Sequence, residues 1–270
     1  MECYSVEMEH INKSFPGVKA LDDVSFCLRA GEVMALLGEN GAGKSTLMKI
    51  LSGVYQKDSG TIHIFGKEVQ DLNPKKAQEL GVAIIHQELN LCGHLTVAEN
   101  IFLGHETMKK GLLSDKEMRL KAKKVLDELN MDISADAVVG DLAVSKQQMI
   151  EIAKALSINA KILIMDEPTS ALTSKEIEDL FVIIRKLTSQ GMGIVYISHR
   201  LEELQHIVDR ITIMRDGKYI TSMDFKDTSL QAIITNMVGR EIKEKFPRVS
   251  CVRGRKILEV KHLNAGNMVK

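Results

Sequence analysis

The sequence has no surplus of either charge, its 36 lysines and arginines being balanced by 36 aspartates and glutamates. Without a global basic field it lacks the electrostatic mark of a nucleic-acid or anionic-membrane binder, so its partners are selected by shape. It is also short of cysteine. Cys3, Cys27, Cys92 and Cys251 stand far apart with no CxxC pair, which argues against zinc and for reduced thiols in a reducing compartment such as the cytoplasm. No apolar run approaches the roughly 20 residues that a membrane-spanning helix needs, and the start Met1-Glu2 lacks the basic and apolar regions of a signal peptide. The chain is not expected to cross a membrane itself.

What is present is an alternation of strand and helix signals. Val6 to Ile11 alternates apolar with polar, and Val33 to Leu37 is a wholly apolar run that feeds a glycine-rich turn. After the turn, Leu47, Ile50 and Leu51 fall at helical spacing. Further apolar runs at Val82 to Ile85, Ile162 to Met165 and Ile194 to Ile197 are separated by helical patterns. The layout predicts an α/β fold, a mostly parallel sheet with helices on its faces. Asp216-Gly217 between Ile211–Arg215 and Lys218–Met223 predicts a type I′ hairpin, an antiparallel β edge on that core. From about residue 88 to 158 the strand signal fades. Ser114-x-x-Glu117 and Ser145-x-x-Gln148 there read as capping boxes of an inserted helical subdomain.

The chemistry sits at the ends of these strands. Gly38-Glu39-Asn40-Gly41-Ala42-Gly43-Lys44-Ser45-Thr46 satisfies the phosphate-loop pattern between a predicted strand and a predicted helix. Its glycines let successive backbone N–H groups turn inward, and the helix N-terminus adds partial positive charge, so a triphosphate is the expected ligand. Lys44 is expected to reach the β- and γ-phosphates, Ser45 to ligate Mg2+, and Thr46 to donate to a phosphate oxygen. A second pair of candidates closes the strand Ile162 to Met165: Asp166 for the metal and Glu167 to polarise the attacking water. Alone, such an acidic strand end is an ordinary turn; beside a phosphate loop it reads as catalytic.

With these motifs in place, residues 4–240 resemble the nucleotide-binding subunit of ATP-binding cassette (ABC) transporters, a P-loop NTPase family that hydrolyses MgATP. The resemblance assigns His86-Gln87-Glu88 to the family's glutamine loop, where Gln87 contacts Mg2+ and leads to a transmembrane partner. It assigns His199, in Tyr196-Ile197-Ser198-His199, to the switch histidine that bonds the γ-phosphate and helps hold Glu167 and the water. Phe15 matches the aromatic position on which adenine stacks, with core packing as the competing role. The family's signature sequence, which clasps the nucleotide of the opposite cassette, corresponds to Leu142-Ala143-Val144-Ser145-Lys146 and is degraded. Ala143 has no hydroxyl, and Ser145 is expected to cap its helix instead. Thr173, where the family often has aspartate, is expected to form another capping box with Glu176.

The strings Ile11 to Leu21, His86 to Leu91, Gln147 to Lys154 and Met237 to Arg240 most resemble the first cassette of bacterial monosaccharide importers. Within these, the galactose and methyl-galactoside branch is the nearest match, with ribose and xylose importers close to it. Such a subunit lies on the cytoplasmic face of the membrane against permease subunits, which connect it to a periplasmic or lipid-anchored sugar-binding protein. A groove near Gln87 to Gly104, with Leu91, Leu95 and Phe102, is expected to receive the permease. A nucleoside importer and a soluble translation-type cassette are the alternatives. A repair-type cassette is disfavoured, because the interval from Lys44 to Leu142 is too short for long coiled coils. Finally, Leu258-Glu-Val-Lys-His-Leu-Asn264 echoes Val6-Glu-Met-Glu-His-Ile-Asn12. The echo predicts that 257–270 begins a second cassette after a linker at 241–256.

Overall fold

The computed structural model describes residues 4–109, 112–240 and 254–261. The chain divides into two units, Met1–Arg240 and Glu241–Lys270. In the first unit, strands β1 (Tyr4–Phe15), β2 (Val18–Arg29) and β3 (Val33–Leu37) precede helix α1 (Lys44–Leu51). Then come β4 (Ser59–Ile64), β5 (Lys67–Glu68), α2 (Pro74–Glu79), β6 (Val82–Ile85) and α3 (Val97–Ile101). A short ribbon, β7 (Met108–Lys109) and β8 (Leu112–Leu113), leads to α4 (Asp115–Glu128) and α5 (Val144–Ser157). The remainder is β9 (Ile162–Asp166), α6 (Ser174–Ser189), β10 (Gly193–Ile197), α7 (Leu201–Ile207), β11 (Arg210–Arg215), β12 (Lys218–Asp224) and α8 (Leu230–Val238).

Two sheets carry the unit. The larger has the order β12-β11-β3-β10-β9-β6, parallel from β11 to β6, with β12 antiparallel at one edge. The smaller is antiparallel, in the order β2-β1-β4-β5. Strand periodicity divides the core: along β3, Val33, Ala35 and Leu37 face the helices, while Met34 and Leu36 face α1 and the antiparallel sheet. Helix α6 shows the matching helical stripe. Its Leu180, Ile183, Ile184 and Leu187 are all buried, at about 1.5–3 kcal/mol for each large side chain fully removed from water.

The predicted runs at Val33, Val82, Ile162 and Ile194 are all strands, and the Asp216-Gly217 turn has positive φ at both positions, 50° and 74°, as a type I′ turn requires. The inserted subdomain is mainly helical. It differs from the expectation in holding the β7–β8 ribbon and an isolated bridge from Thr96 to Val138. Neither predicted capping box forms there. Ser114 occupies the N-cap of α4 without a side-chain cap bond, and α5 starts one residue before Ser145, with Ala143 at its N-cap. The box that does form in the insert is Thr96 with Glu99. The Thr173–Glu176 box forms as expected at α6. Cys27 and Cys92 are free thiols.

In the second unit, residues 254–261 are exposed and carry neither helix nor paired strand. Among the described residues none pairs with them as a strand would require. Most of the expected linker, 241–253, and residues 262–270 lie outside the described residues. No described helix is long and apolar enough to cross a membrane.

Candidate active site

Four loops meet at one edge of the large sheet because β3, β10, β9 and β6 are neighbours running in the same direction, so their carboxyl ends share that edge. The loop after β3 turns sharply into α1, and Gly38, Gly41 and Gly43 all have positive φ. Glycine is required at position 43, where a Cβ would stand 2.7 Å from the Ala20 carbonyl oxygen and 2.8 Å from a Leu21 methyl. Lys44 opens α1 and its ammonium donates back to the carbonyls of Gly38 and Glu39, at 2.8 and 3.0 Å.

Asp166 and Glu167 end β9, directly across from this loop. Burial pushes the Lys44 ammonium below its ordinary value, against the pull of the Asp166 and Glu167 carboxylates. Burial, and next the neighbouring Glu167, pushes the Asp166 carboxyl up, against His86, Lys44 and Lys49. Both shifts mark charges drawn from water with too little opposite charge nearby. A phosphate beside Lys44 and a divalent cation beside Asp166 would supply what each lacks, and Ser45 and Thr46 add hydroxyls on the same wall, so the residues fit MgATP.

Glu167 adopts φ 48°, a left-handed conformation unusual outside glycine, and so turns its side chain back toward neighbouring loops. Gln87, after β6, donates its amide to Glu167 Oε2 at 3.2 Å. His199, after β10, places Nδ1 3.0 Å from Oε1. Gln87 and His199, from the loops after β6 and β10, thus converge on the Glu167 carboxylate.

The cleft that Glu167 and Gln87 border has a volume of about 720 Å3. Asn40, Gly41, Ala42, Gly43, Lys44, Ser45, Thr46, Gln87, Asp166 and Glu167 line it; Gly38, Glu39 and His199 are not among its walls. Phe15 is at its mouth, with its ring edge-on to Tyr55 at 5.3 Å and the Lys13 ammonium 5.5 Å from its centroid. It therefore both packs and faces the cleft. The hairpin tip Asp216-Gly217 also lines the cleft, and sequence pattern alone marks it only as a turn. Backbone bonds from Gly217 N–H to Ala42 and from Asp22 N–H to Gly217 tie that tip to the phosphate loop.

The degraded signature departs from the expected role. Ser145 lies inside α5 and does not cap it; the nearby Ser145 hydroxyl, together with Thr173, holds the Glu176 carboxyl below its ordinary range. Ala143 and Val144 are exposed at the helix start.

A family model described as ABC transporter matches residues 21–170. The chain is 56% identical over 242 residues to a putative ribose/galactose/methyl galactoside import ATP-binding protein of Agrobacterium fabrum, covering 90% of this chain and 48% of that protein. It is 52% identical over 262 residues to the galactose/methyl galactoside import ATP-binding protein of Salmonella typhimurium, covering 97% and 52%. Among solved structures, an ATP-binding cassette of an ABC transporter in its ADP conformation superposes with TM-score 0.77 at 27% identity, over 88% of this chain and 99% of that one. The chain spans about half the length of the curated relatives it matches.

Proposed function

This chain belongs to the ABC transporter family, and from that premise we propose that it binds and hydrolyses MgATP to power import of a monosaccharide across the cytoplasmic membrane. The observation that carries the hydrolytic half is Glu167 held by Gln87 and His199 at the rim of the phosphate-loop cleft. Phosphoryl transfer needs little covalent help from the protein; it needs the nucleophile aligned and the phosphate charge balanced. Glu167 is the group to accept a proton from water, His199 and Gln87 fix the direction of its two oxygens, and Lys44 balances the phosphates. Bound Mg2+ would neutralise further phosphate charge, with Ser45, Asp166 and Gln87 as its protein contacts. Phe15 is the stacking surface for the base.

The sugar half rests on relatives named as ribose, galactose and methyl galactoside importers. Galactose or methyl galactoside is the favoured cargo, with ribose or xylose next. The working assembly comprises permease subunits, a sugar-binding protein beyond them, and a second cassette in a protein of about twice this length. The cassette lies on the cytoplasmic face of the membrane.

The permease contact is assigned to a groove of about 320 Å3 in which Val54, His86, Asn90, His105, Glu151 and Ile158 take part. Asn90 lies within the segment expected to dock and His105 directly follows it, but Phe102 is in the core and Leu91 packs against that core. Groove residues Ala83 and Ile84 lie on β6, whose loop carries Gln87, so a helix seated there touches the strand that positions the site. Val54, 48% exposed, is its most open apolar position. Val54→Asp and His105→Asp in the full-length protein, co-expressed with its permease, are expected to lower sugar uptake at least about tenfold while phosphate release persists. Unchanged uptake places the contact elsewhere; absent phosphate release in the parent protein removes the hydrolytic reading itself.

A further inference from the structure

Outside the residues that line the cleft lies a buried acid that touches both arms of the Glu167–His199 pair. Glu203, on α7, is 9% exposed. Its Oε2 accepts the Thr169 hydroxyl at 2.8 Å and the Tyr196 phenol at 3.0 Å, and its Oε1 accepts from the Arg200 guanidinium at 3.2 Å. These partners come from two stretches of chain, one carrying Glu167 and the other carrying His199. Thr169 is two residues beyond Glu167, Tyr196 is three residues before His199, and Arg200 follows His199 directly.

Glu167 needs such support. A non-glycine residue stays at φ 48° only where its surroundings over-determine it. Two backbone bonds contribute, Glu167 N–H to the Ile197 carbonyl at 2.9 Å and Ser170 N–H to the Glu167 carbonyl at 3.2 Å. The side-chain anchor of the same turn is the bond from Thr169, itself 1% exposed, to Glu203. On the opposite arm, Tyr196 is fully buried, and burial together with Glu203 pushes its phenol well above its ordinary range, so it remains a proton donor to that carboxylate. The His199 loop is gripped at its strand end through Tyr196 and at its helix end through Arg200.

We propose that Glu203 is a positioning residue for hydrolysis: it locks the turn carrying Glu167 to the loop carrying His199, so that carboxylate and imidazole meet at 3.0 Å. The inference rests on the hydrolytic reading of the site. Glu203 itself contacts neither nucleotide nor water in this scheme. Its removal frees two loops that bear on one reaction, and displacement of a reacting group by about 1 Å can cost on the order of 100-fold in rate.

The test compares the parent 270-residue chain with Glu203→Ala, Glu203→Gln, Thr169→Val and Tyr196→Phe, measuring phosphate release, MgATP affinity with a fluorescent nucleotide, and Tm. In Glu203→Ala, kcat is expected to fall about 30-fold with nucleotide affinity within about threefold of the parent. Thr169→Val and Tyr196→Phe each remove one bond and are expected to lower kcat by about 3- to 10-fold. Glu203→Gln keeps an acceptor for both hydroxyls and is expected to recover most of the rate lost in the alanine variant. A purely structural acid would lower Tm without this selective loss of kcat and without rescue by glutamine. Parent-level kcat in folded Glu203→Ala overturns the proposal; if that variant does not fold, parent-level kcat in both Thr169→Val and Tyr196→Phe does so. No phosphate release from the parent chain overturns the hydrolytic reading, and this proposal with it.

Discussion

Glu167→Gln is expected to bind MgATP as the parent chain does and to release phosphate about 10²- to 10⁴-fold more slowly, the contribution typical of a positioned general base. The substitution is nearly isosteric. A glutamine at 167 still offers one oxygen to Gln87 or His199, so the loops stay in place while the group that takes the proton is lost. Lys44→Ala is expected to fail earlier, at binding. Its ammonium is folded over the glycine loop, and hydrogen bonds to charged groups are worth about 1.5–3 kcal/mol each. Two phosphate contacts therefore correspond to about 10²- to 10⁴-fold in affinity. Equilibrium binding of a fluorescent nucleotide and phosphate release, measured on both variants, separate the two failures. Full hydrolysis by Glu167→Gln would move the base to another residue, and unchanged affinity in Lys44→Ala would remove the lysine from the phosphates.

The legible parts of this fold are those where one short stretch carries the whole signal. β3 is buried on both faces and reads as a continuous apolar run; its glycine loop follows at once, and β9 ends in its two acids. β2 is less legible because Asp23, at φ 56°, inserts a bulge that offsets Leu21 from the alternating Val24, Phe26 and Leu28. The capping signals fail or succeed by competition. Ser145 has the right spacing to Gln148, but α5 starts one residue before it, so Ala143 takes the N-cap and Ser145 lies inside the helix. The convergence on Glu167 is implied by family resemblance and by no spacing, since Gln87 lies 80 residues from it and His199 lies 32. Their meeting follows from strand order, which puts β6 and β10 on either side of β9. Glu203 is hidden for the same reason: on α7 it reads as one more acid in Leu201-Glu-Glu-Leu204, and its role depends on partners brought up by β9 and β10.

The signature region yields the second large effect, because a cassette works as a head-to-tail pair in which each nucleotide is clasped by the partner's signature. Here the N-terminus of α5 offers backbone amides and the helix dipole, but no cap hydroxyl: Ala143 at the N-cap has none, and Ser145 lies inside the helix. Two copies of this 270-residue chain facing one another would therefore lack the serine hydrogen bond on both phosphates. The loss is worth roughly 1.5–3 kcal/mol, or about ten- to a hundredfold in rate where that bond forms only in the transition state. The chain alone is expected to bind MgATP and hydrolyse it slowly, whereas a protein of full length, with a second cassette supplying an intact signature, is expected to turn over mainly at Lys44 and Glu167. Ala143→Ser with Ser145→Gly should raise phosphate release by the short chain, by restoring a cap hydroxyl at the N-terminus of α5. The same pair in the full-length protein should change little, because its working nucleotide is clasped from the other side. Equal and fast turnover by the unmodified short chain and the full-length protein would show that the two sites are equivalent.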